Sequence, residues 1–285
     1  MLQFLSDYFS QKGIRLFAPI PLGDCRVTRS YLLERAGLDE QSGTAIMLAI
    51  PYFTSAALSS ERNISAYAVP RDYHLFFREL FDDLLPRLRE RFPTERFAGF
   101  ADHSPIDERD AAARAGLGLL GLNGMLITEP YSSYVFLGEL VTSAALPCDV
   151  REPQTCEGCG ACRRACPMSE LGTCLSALTQ KKGDLTEDEA AAIRRFGSAW
   201  GCDICSEVCP HTAKAKRNGT LCSELPFFSA ETITHLTVEA LDGMTDQAFA
   251  ERAFAWRGRS TVRRNLCILE QDEQTEQTDK EDGAC

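Results

Sequence analysis

The most informative stretch of this chain is Cys156-Glu-Gly-Cys159-Gly-Ala-Cys162-Arg-Arg-Ala-Cys166-Pro167. Its spacing is C-x2-C-x2-C-x3-C-P, the cysteine run of bacterial two-cluster ferredoxins. The first three thiolates of such a run bind one [4Fe–4S] cluster, and the fourth binds a second cluster. One complete run therefore predicts two clusters.

A second, shorter run follows as Cys202-Asp-Ile-Cys205-Ser-Glu-Val-Cys209-Pro210 and lacks one cysteine. Crossed ligation between the runs assigns one cluster to four thiolates: Cys156, Cys159, Cys162 and Cys209. It leaves the other cluster with three: Cys166, Cys202 and Cys205. The fourth ligand is then Cys174 or Cys222, and we favour Cys174 because the seven residues after Cys166 can lead back to the same cubane.

Zinc is the alternative occupant, since it also binds four thiolates. Zinc sites normally use two separated C-x2-C pairs, and a triple run followed by C-x3-C-P is not typical of them. We therefore favour iron–sulfur clusters. The remaining cysteines are interpreted as small buried hydrophobic residues or bystanders: Cys25, Cys148, Cys222, Cys267 and Cys285.

The composition favours a reducing compartment. Thirteen cysteines would suggest disulfides in a short secreted protein, but the chain has 285 residues and starts without a basic segment or a long apolar stretch. The longest apolar run, from Ala45 to Ile50, is far shorter than the roughly 20 residues of a membrane helix. We expect reduced cysteines, a cytoplasmic location and no membrane span.

The sequence predicts an α+β fold in which a mixed α/β cofactor domain, residues 1–147, precedes a ferredoxin-like double-cluster domain, residues 148–269. Residues 270–285 carry a net charge of −6 out of −11 for the chain, and we expect this acidic tail to be disordered. Apolar patterning predicts three strands: Ala45–Ala49, Phe97–Phe100 and Tyr134–Val141. It predicts three helices: 72–92, Asp107–Ala115 and Thr186–Arg195.

The segment Gly116-Leu-Gly-Leu-Leu-Gly121 matches G-x-G-x-x-G, the fingerprint of dinucleotide-binding folds. That fingerprint requires a strand before it, and here the preceding residues, from Arg109 to Ala115, have a helical pattern. We therefore reject a dinucleotide site. Nearly 150 residues nevertheless precede the clusters, so an electron-using activity is expected in addition to electron transfer.

Several further motifs occur in a fixed order. They are Arg71-Asp-Tyr-His74, Asp102-His-Ser-Pro-Ile-Asp-Glu-Arg109, Arg114-Ala-Gly-Leu-Gly-Leu-Leu-Gly-Leu-Asn123, Tyr131-Ser-Ser-Tyr-Val-Phe-Leu-Gly-Glu139, Trp256-Arg-Gly258 and Arg264-Asn265. Together with both cysteine runs, they resemble the epoxyqueuosine reductase family, QueG, over roughly residues 45 to 267. The resemblance implies a cobalamin cofactor and reductive removal of the epoxide oxygen from epoxyqueuosine in tRNA, which is the last step of queuosine biosynthesis. A ferredoxin or flavodoxin is the expected electron donor.

By this resemblance, Asp102 supplies a proton to the departing oxygen. A general acid of this kind is expected in a poorly solvated pocket that raises its pKa. The alternative is that Asp102 only caps the helix that begins near Asp107 or closes a turn before Pro105. The resemblance also implies that a set of residues binds the cofactor: Asp72, Tyr73, His74, Arg109, Gly118 and Asn123. His74 has an equally good structural interpretation at a helix start, and Arg109 can instead form a helix ion pair.

The chain departs from the family pattern at Leu122, where the family usually has a lysine. The segment before Ala45 is shorter than expected, and the helical-repeat extension often found after the cluster domain is missing; both bear on RNA binding. Phosphate contacts require Lys or Arg, and the best candidates surround Trp256: Arg257, Arg259, Arg263 and Arg264.

Two other functions stay open on the sequence. One is a corrinoid iron–sulfur reductase of a small molecule, like reductive dehalogenases, although their usual twin-arginine export signal is absent. The other is an electron-transfer module without catalytic activity. Cobalamin binding separates both reductases from the module, and turnover that depends on tRNA separates the two reductases.

Overall fold

The structure, a computed structural model, describes residues 1–169 and 172–282, with side chains described in the same ranges as far as Glu270. It forms two compact units that alternate along the chain. One, the sheet unit, comprises Met1–Tyr52, Tyr73–Gly160 and Cys209–Leu225. The other, the helical unit, comprises Phe53–Asp72, Ala161–Val208 and Pro226–Cys285. The domain boundaries at residues 147 and 269 that the sequence indicates stay a prediction.

The sheet unit combines six strands with five helices in its described part. The strands are β1 (Phe17–Pro21), β2 (Thr44–Pro51), β3 (Phe97–Phe100), β4 (Leu119–Leu120), β5 (Leu126–Ile127) and β6 (Val135–Thr142). The helices are α1 (Leu2–Gln11), α2 (Ser30–Arg35), α3 (Tyr73–Arg91), α4 (Glu108–Arg114) and α9 (Pro210–Arg217).

The main sheet has the strand order β1-β2-β6-β3, and every neighbouring pair is antiparallel. Its centre is β2, in which all eight residues are buried, as expected for an apolar strand covered on both faces. In the register of β2 with β6, Ala45 lies opposite Val141. The three predicted strands correspond to β2, β3 and β6.

Two glycines allow α3 to lie close against the sheet. A Cβ atom at Gly99 would lie 2.3 Å from the Phe81 ring, and one at Gly138 would lie 2.5 Å from the Phe77 ring. Since α3 precedes β3 and runs back along it, the first turn of α3 lies beside the end of β3. This packing brings His74 to the turn that follows Phe100.

The opposite face of the sheet is covered by α4. Three successive alanines, Ala111–Ala113, are buried in one apolar cluster with Met47 and Val141. Small side chains let the helix approach the strands closely. Because side chains alternate along β6, Glu139 points to the α4 face and Gly138 to the α3 face.

The helical unit contains eight helices in its described part. They are α5 (Ala161–Ala165), α6 (Leu175–Thr179), α7 (Glu187–Phe196), α8 (Ile204–Glu207), α10 (Pro226–Ser229), α11 (Val238–Gly243), α12 (Asp246–Ala250) and α13 (Arg259–Asp282). A capping box between Thr186 and Glu189 begins α7, the helix predicted between the cysteine runs. Trp200 is fully buried and contacts Phe254 edge to face, with 6.3 Å between ring centroids.

The remaining sequence predictions can be placed on this fold. Helices 72–92 and Asp107–Ala115 correspond to α3 and α4, so the G-x-G-x-x-G segment follows a helix, and the rejection of a dinucleotide site is consistent with the fold. The predicted disordered tail overlaps α13 as far as Asp282, and its last residues, 283–285, lie outside the described range. Because no side chain beyond Glu270 is described, the disorder of this tail stays a prediction.

None of the described helices combines the length and the apolar character that are needed to cross a membrane.

Candidate functional site

Asp102 lies in the turn between β3 and α4 and has a left-handed backbone conformation, with φ of +64°. Its Oδ2 atom is 3.7 Å from Nε2 of His74, and 69% of its side chain is exposed. His74 is the strongest influence on this carboxyl and lowers its pKa; burial opposes that effect, and Tyr73 and Arg29 lower the pKa further. The expectation of a poorly solvated pocket that raises the pKa of Asp102 is therefore wrong for this structure.

Hydrogen bonds hold the Asp102 turn at successive positions. The backbone N–H of Asp102 donates to Oε1 of Glu108 at 3.2 Å. The next residue, His103, forms a 3.1 Å hydrogen bond with the Tyr31 hydroxyl, and Arg29 donates to the carbonyl of Ser104 at 2.9 Å. The helix that follows is capped by Asp107, and not by Asp102. The turn is thus a defined structure that presents a carboxyl to solvent.

The first turn of α3 carries two of the predicted cofactor-binding residues. The Tyr73 ring stacks on Phe136, with centroids 4.1 Å apart and planes inclined by 14°, and the His74 imidazole lies 4.1 Å from the Tyr73 ring. Asp72, the third member of that motif, belongs to the helical unit, where its backbone N–H donates to the carbonyl of Glu251 at 2.9 Å. The stack fixes His74 opposite Asp102.

The glycine-rich segment forms a small hairpin of β4 and β5. Gly118 is required there by packing, because a Cβ atom would lie 2.4 Å from the carbonyl oxygen of Ile127. At the tip of the hairpin, Nδ2 of Asn123 is buried and donates no hydrogen bond within the described residues. Arg109 donates to the carbonyl of Gly124 at 2.5 Å, and both line a cavity of about 550 Å³ within the sheet unit. The unpaired amide of Asn123 is a suitable contact for a polar ligand.

Leu122 links this hairpin to the first cysteine run. Its backbone N–H donates to Sγ of Cys156 at 3.3 Å, and the backbone N–H of Cys156 donates to the carbonyl of Leu120 at 3.0 Å. Hydrogen bonds to ligand sulfurs are one means by which proteins tune cluster potentials. The side chain of Leu122 is partly exposed and makes no part of this link.

The loop of the first run depends on glycines. Gly158 and Gly160 have φ of +66° and +75°, which non-glycine residues rarely adopt. Cys159 is exposed, and the run continues into α5, which has no buried residue. Cys209 is the buried N-cap of α9, with Pro210 at the first helical position. Within this run Cys159 is the most exposed cysteine, and Cys156, Cys162 and Cys166 are half-buried.

The helical unit contains all four thiols predicted for the second cluster: Cys166, Cys174, Cys202 and Cys205. Cys174 contributes to the electrostatic environment of both Cys202 and Cys205, and burial raises the pKa of these two thiols. Cys166 and Cys202 pack against one apolar cluster that includes Leu175 and Ile193. Cys222, the other candidate for the fourth ligand, belongs to the sheet unit.

Sequence reasoning missed Asp203, which lies between the cysteines of the second run. Its buried carboxylate accepts hydrogen bonds from Arg62 at 2.5 Å, from the Ser65 hydroxyl at 2.6 Å and from the backbone N–H of Ala66 at 2.6 Å. These bonds fix the loop that carries Cys202. An aspartate within C-x2-C gives no signal of such a role, since its partners lie about 140 residues earlier.

The arginines around Trp256 are largely used within the helical unit. Arg257 stacks on the Trp256 ring with 3.8 Å from its guanidinium carbon to the centroid. Arg259 binds the carbonyls of Leu241 and Met244, Arg263 pairs with Asp242, and Arg264 binds the carbonyls of Lys181 and Gly183. Their engagement weakens the prediction that the whole group contacts phosphates.

The donor set suits iron–sulfur clusters. All eight predicted ligands lie within the described residues, and cysteine thiolates are the ligands that such clusters use. Within the part of the chain that the structure describes, no group of three or more His, Cys, Asp or Glu is arranged to hold a single metal ion. A cubane bonds each thiolate to a different iron atom, so its four ligands need not converge on one point.

Comparison with known proteins identifies similar chains. The family model described as Epoxyqueuosine reductase QueG, DUF1730, matches residues 36–103. The epoxyqueuosine reductase of Gloeobacter violaceus is 31% identical over 78% of this chain and 71% of its own length. That of Listeria monocytogenes is 31% identical over 81% of this chain and 64% of its own length. The chain thus spans about two thirds of these relatives.

Among solved structures, an epoxyqueuosine reductase with an epoxyqueuosine-modified tRNA-Tyr stem loop has a TM-score of 0.68 and 23% identity. The alignment covers 94% of this chain and 81% of that one. At this level of identity the likeness supports the fold, and it agrees with the α+β class predicted from the sequence.

Proposed function

The chain belongs to the epoxyqueuosine reductase family, and on that basis we propose that it is an oxidoreductase that reduces epoxyqueuosine to queuosine in tRNA. The similarity over 78% of the chain carries the proposal. The two-cluster spacing of the cysteines supports it independently. Because tRNA is modified in the cytoplasm, we place the reaction there.

We propose that two [4Fe–4S] clusters bind to the cysteines already assigned by crossed ligation, with Cys174 as the eighth ligand. The electrostatic influence of Cys174 on both Cys202 and Cys205 supports this choice over Cys222, although Cys162 also acts on Cys205. We further propose that cobalamin contacts the first turn of α3 and the β4–β5 hairpin, where the unpaired Asn123 amide is a suitable partner. When bound, these groups supply single electrons and a strong reductant for the substrate carbon.

The reaction takes up two electrons and two protons, breaks both epoxide C–O bonds, forms a double bond between the two ring carbons and releases the oxygen as water. We propose that the Asp102 carboxyl gives one of these protons to the departing oxygen. Its exposure in a fixed turn supports this assignment, because the proton must reach a substrate that arrives from solvent. His74 lowers the pKa of Asp102 in the free protein, so a bound substrate that excludes water must favour the protonated form.

A ferredoxin or flavodoxin is the proposed electron donor, since the clusters accept one electron at a time. The donor assay compares reduced ferredoxin, reduced flavodoxin and a chemical reductant on the same preparation. If the chemical reductant supports turnover and neither reduced ferredoxin nor reduced flavodoxin does, the proposal of either protein as donor is wrong.

The proposed function is tested on the full chain reconstituted without oxygen with iron, sulfide and cobalamin. We expect about eight irons per chain and a retained cobalt signal in electron paramagnetic resonance. A tRNA stem loop that carries epoxyqueuosine should then lose one oxygen atom, measured by mass spectrometry of its nucleosides. Iron without retained cobalt favours an electron-transfer module, and cobalt without turnover of the stem loop favours a small-molecule reductase.

A further inference from the structure

Two glutamates lie behind the turn that carries Asp102. Glu139, in β6, is fully buried and points to the face that α4 covers. Glu108, the first residue of α4, is half-buried. Buried carboxyl groups are rare without a partner, so this pair requires an explanation.

The hydrogen bonds of Glu139 are incomplete. Its Oε1 atom accepts a hydrogen bond from the Ser104 hydroxyl at 2.5 Å. Its Oε2 atom is buried and has no hydrogen-bond donor within the described residues. The neighbouring group is the carboxyl of Glu108. Two carboxylates cannot bond to each other, but one proton held between them satisfies the free oxygen.

The surroundings favour that proton. The charged groups that act on Glu108 are all acidic: Asp102, Asp107 and Glu139. Glu139 is next to Glu108, and its charge also raises the pKa of the Cys25 thiol, after the larger effect of burial. Burial, the main cause, raises the pKa of Glu108 to about 7 and that of Glu139 well above its ordinary value. The negative charge of each carboxyl opposes ionisation of the other.

The pair is connected to Asp102 by two routes. Glu108 accepts the hydrogen bond from the backbone N–H of Asp102. Glu139 binds the Ser104 hydroxyl, which also accepts a hydrogen bond from the backbone N–H of Ile106 at 3.1 Å. The start and the middle of the turn are therefore held by the two glutamates.

We propose that Glu108 and Glu139 share one proton and that, in this state, they are positioning residues that fix the turn presenting Asp102. Loss of the proton places two negative charges in contact, so that Glu108 moves toward solvent and releases the N–H of Asp102. The role in turnover depends on the proposed function, whereas the shared proton does not.

The shared proton is tested by infrared spectroscopy on the full chain. Near neutral pH, we expect the carbonyl band of a protonated carboxylic acid, and we expect Glu139→Gln and Glu108→Gln each to remove it. Glu79→Gln changes an exposed glutamate of α3 and should leave the band in place. Absence of the band from the unmodified protein, or its persistence in both variants of the pair, would overturn the proposal.

Thermal unfolding gives a second measurement that does not depend on activity. A carboxyl whose pKa is raised by folding stabilises the protein fully below its ordinary pKa, and this contribution is lost as the pH rises through about 7. We therefore expect the melting temperature of the unmodified protein, measured as a difference from that of Glu139→Gln, to decrease as the pH is raised from about 5 to about 8. A constant difference would mean that Glu139 is only a packing residue.

The positioning role is tested by the pH profile of turnover. Loss of the shared proton should lower the turnover of the unmodified protein at alkaline pH. In Glu139→Gln, the side-chain amide can donate a hydrogen bond to Glu108 and accept one from Ser104. This variant should therefore keep its turnover and show no such decline. Glu139→Ala should lower turnover by about tenfold at all pH values. Equal losses in both variants would overturn the positioning role. If the unmodified protein has no turnover, the proposed function fails, and the infrared and unfolding measurements still decide the shared proton.

Discussion

In the turn that carries Asp102, hydrogen bonds within the protein hold successive positions, whereas the loop of the first cysteine run has open space at Gly158. Glu108, Arg29 and Tyr31 bind successive residues of the turn. In the cysteine loop, by contrast, a Cβ atom added at Gly158 would meet nothing within 4 Å. The α5 helix that follows has no buried residue.

The difference follows from what each region has to bind. A proton donor must be placed before the substrate arrives, and only bonds within the protein can do that. A cluster loop can be organised by the metal–thiolate bonds themselves, because binding and local folding are coupled. The second run is intermediate, since Asp203 fixes it through three hydrogen bonds.

The largest expected effect comes from removing a thiolate of the cysteine loops. Cys174→Ser should lower the iron content by about four atoms per chain and abolish turnover. Amide hydrogen exchange should become faster around Cys166 and stay unchanged in the Asp102 turn. Cys222→Ser is the matched control and should keep all the iron. If Cys222→Ser loses iron and Cys174→Ser does not, the ligand assignment is reversed.

Asp102→Asn tests the turn that carries the proposed proton donor. Because the asparagine cannot give up a proton, turnover should fall by about 10²–10⁴-fold. The iron and cobalt contents should not change, since the turn is held by backbone and neighbouring side chains. Asp82→Asn, at an exposed position of α3, serves as control. Full turnover by Asp102→Asn with all cofactors bound would exclude Asp102 as the proton donor.

His74→Ala should have a smaller effect, which depends on pH. His74 lowers the pKa of Asp102, so its removal raises that pKa and increases the protonated fraction at any pH above it. The alkaline limb of the kcat/KM profile should move to higher pH, with a several-fold gain there. His235→Ala, in the helical unit, should leave the profile unchanged. A profile that does not move would mean that His74 does not control Asp102 during turnover, and loss of cobalt would assign it to cofactor binding.

Features of this molecule that depend on local sequence patterns could be predicted. Features that depend on contacts between distant residues could not. The apolar runs of β2 and β6 and the spacing of the cysteines are visible in short windows of sequence. The pKa of Asp102 is not, because the packing of α3 on Gly99 and Gly138 brings His74 beside it. Glu139 was part of a recognised motif, but its partners Ser104 and Glu108 lie more than 30 residues earlier. Contacts of this kind become visible only in the folded chain.

The smallest expected effect concerns the position where this chain departs from its family. The backbone N–H of Leu122 binds Cys156, and any residue can supply that bond, so Leu122→Lys should keep the iron content. A lysine there adds a cation at the tip of the hairpin and should tighten binding of the modified stem loop by about threefold at low salt, with the gain lost as salt is raised. The measurement is a salt series of binding constants. Met125→Lys, similarly exposed in the same hairpin, is the matched control: an equal gain would reflect charge alone, whereas a gain confined to Leu122→Lys would show that RNA contacts this turn at one defined point.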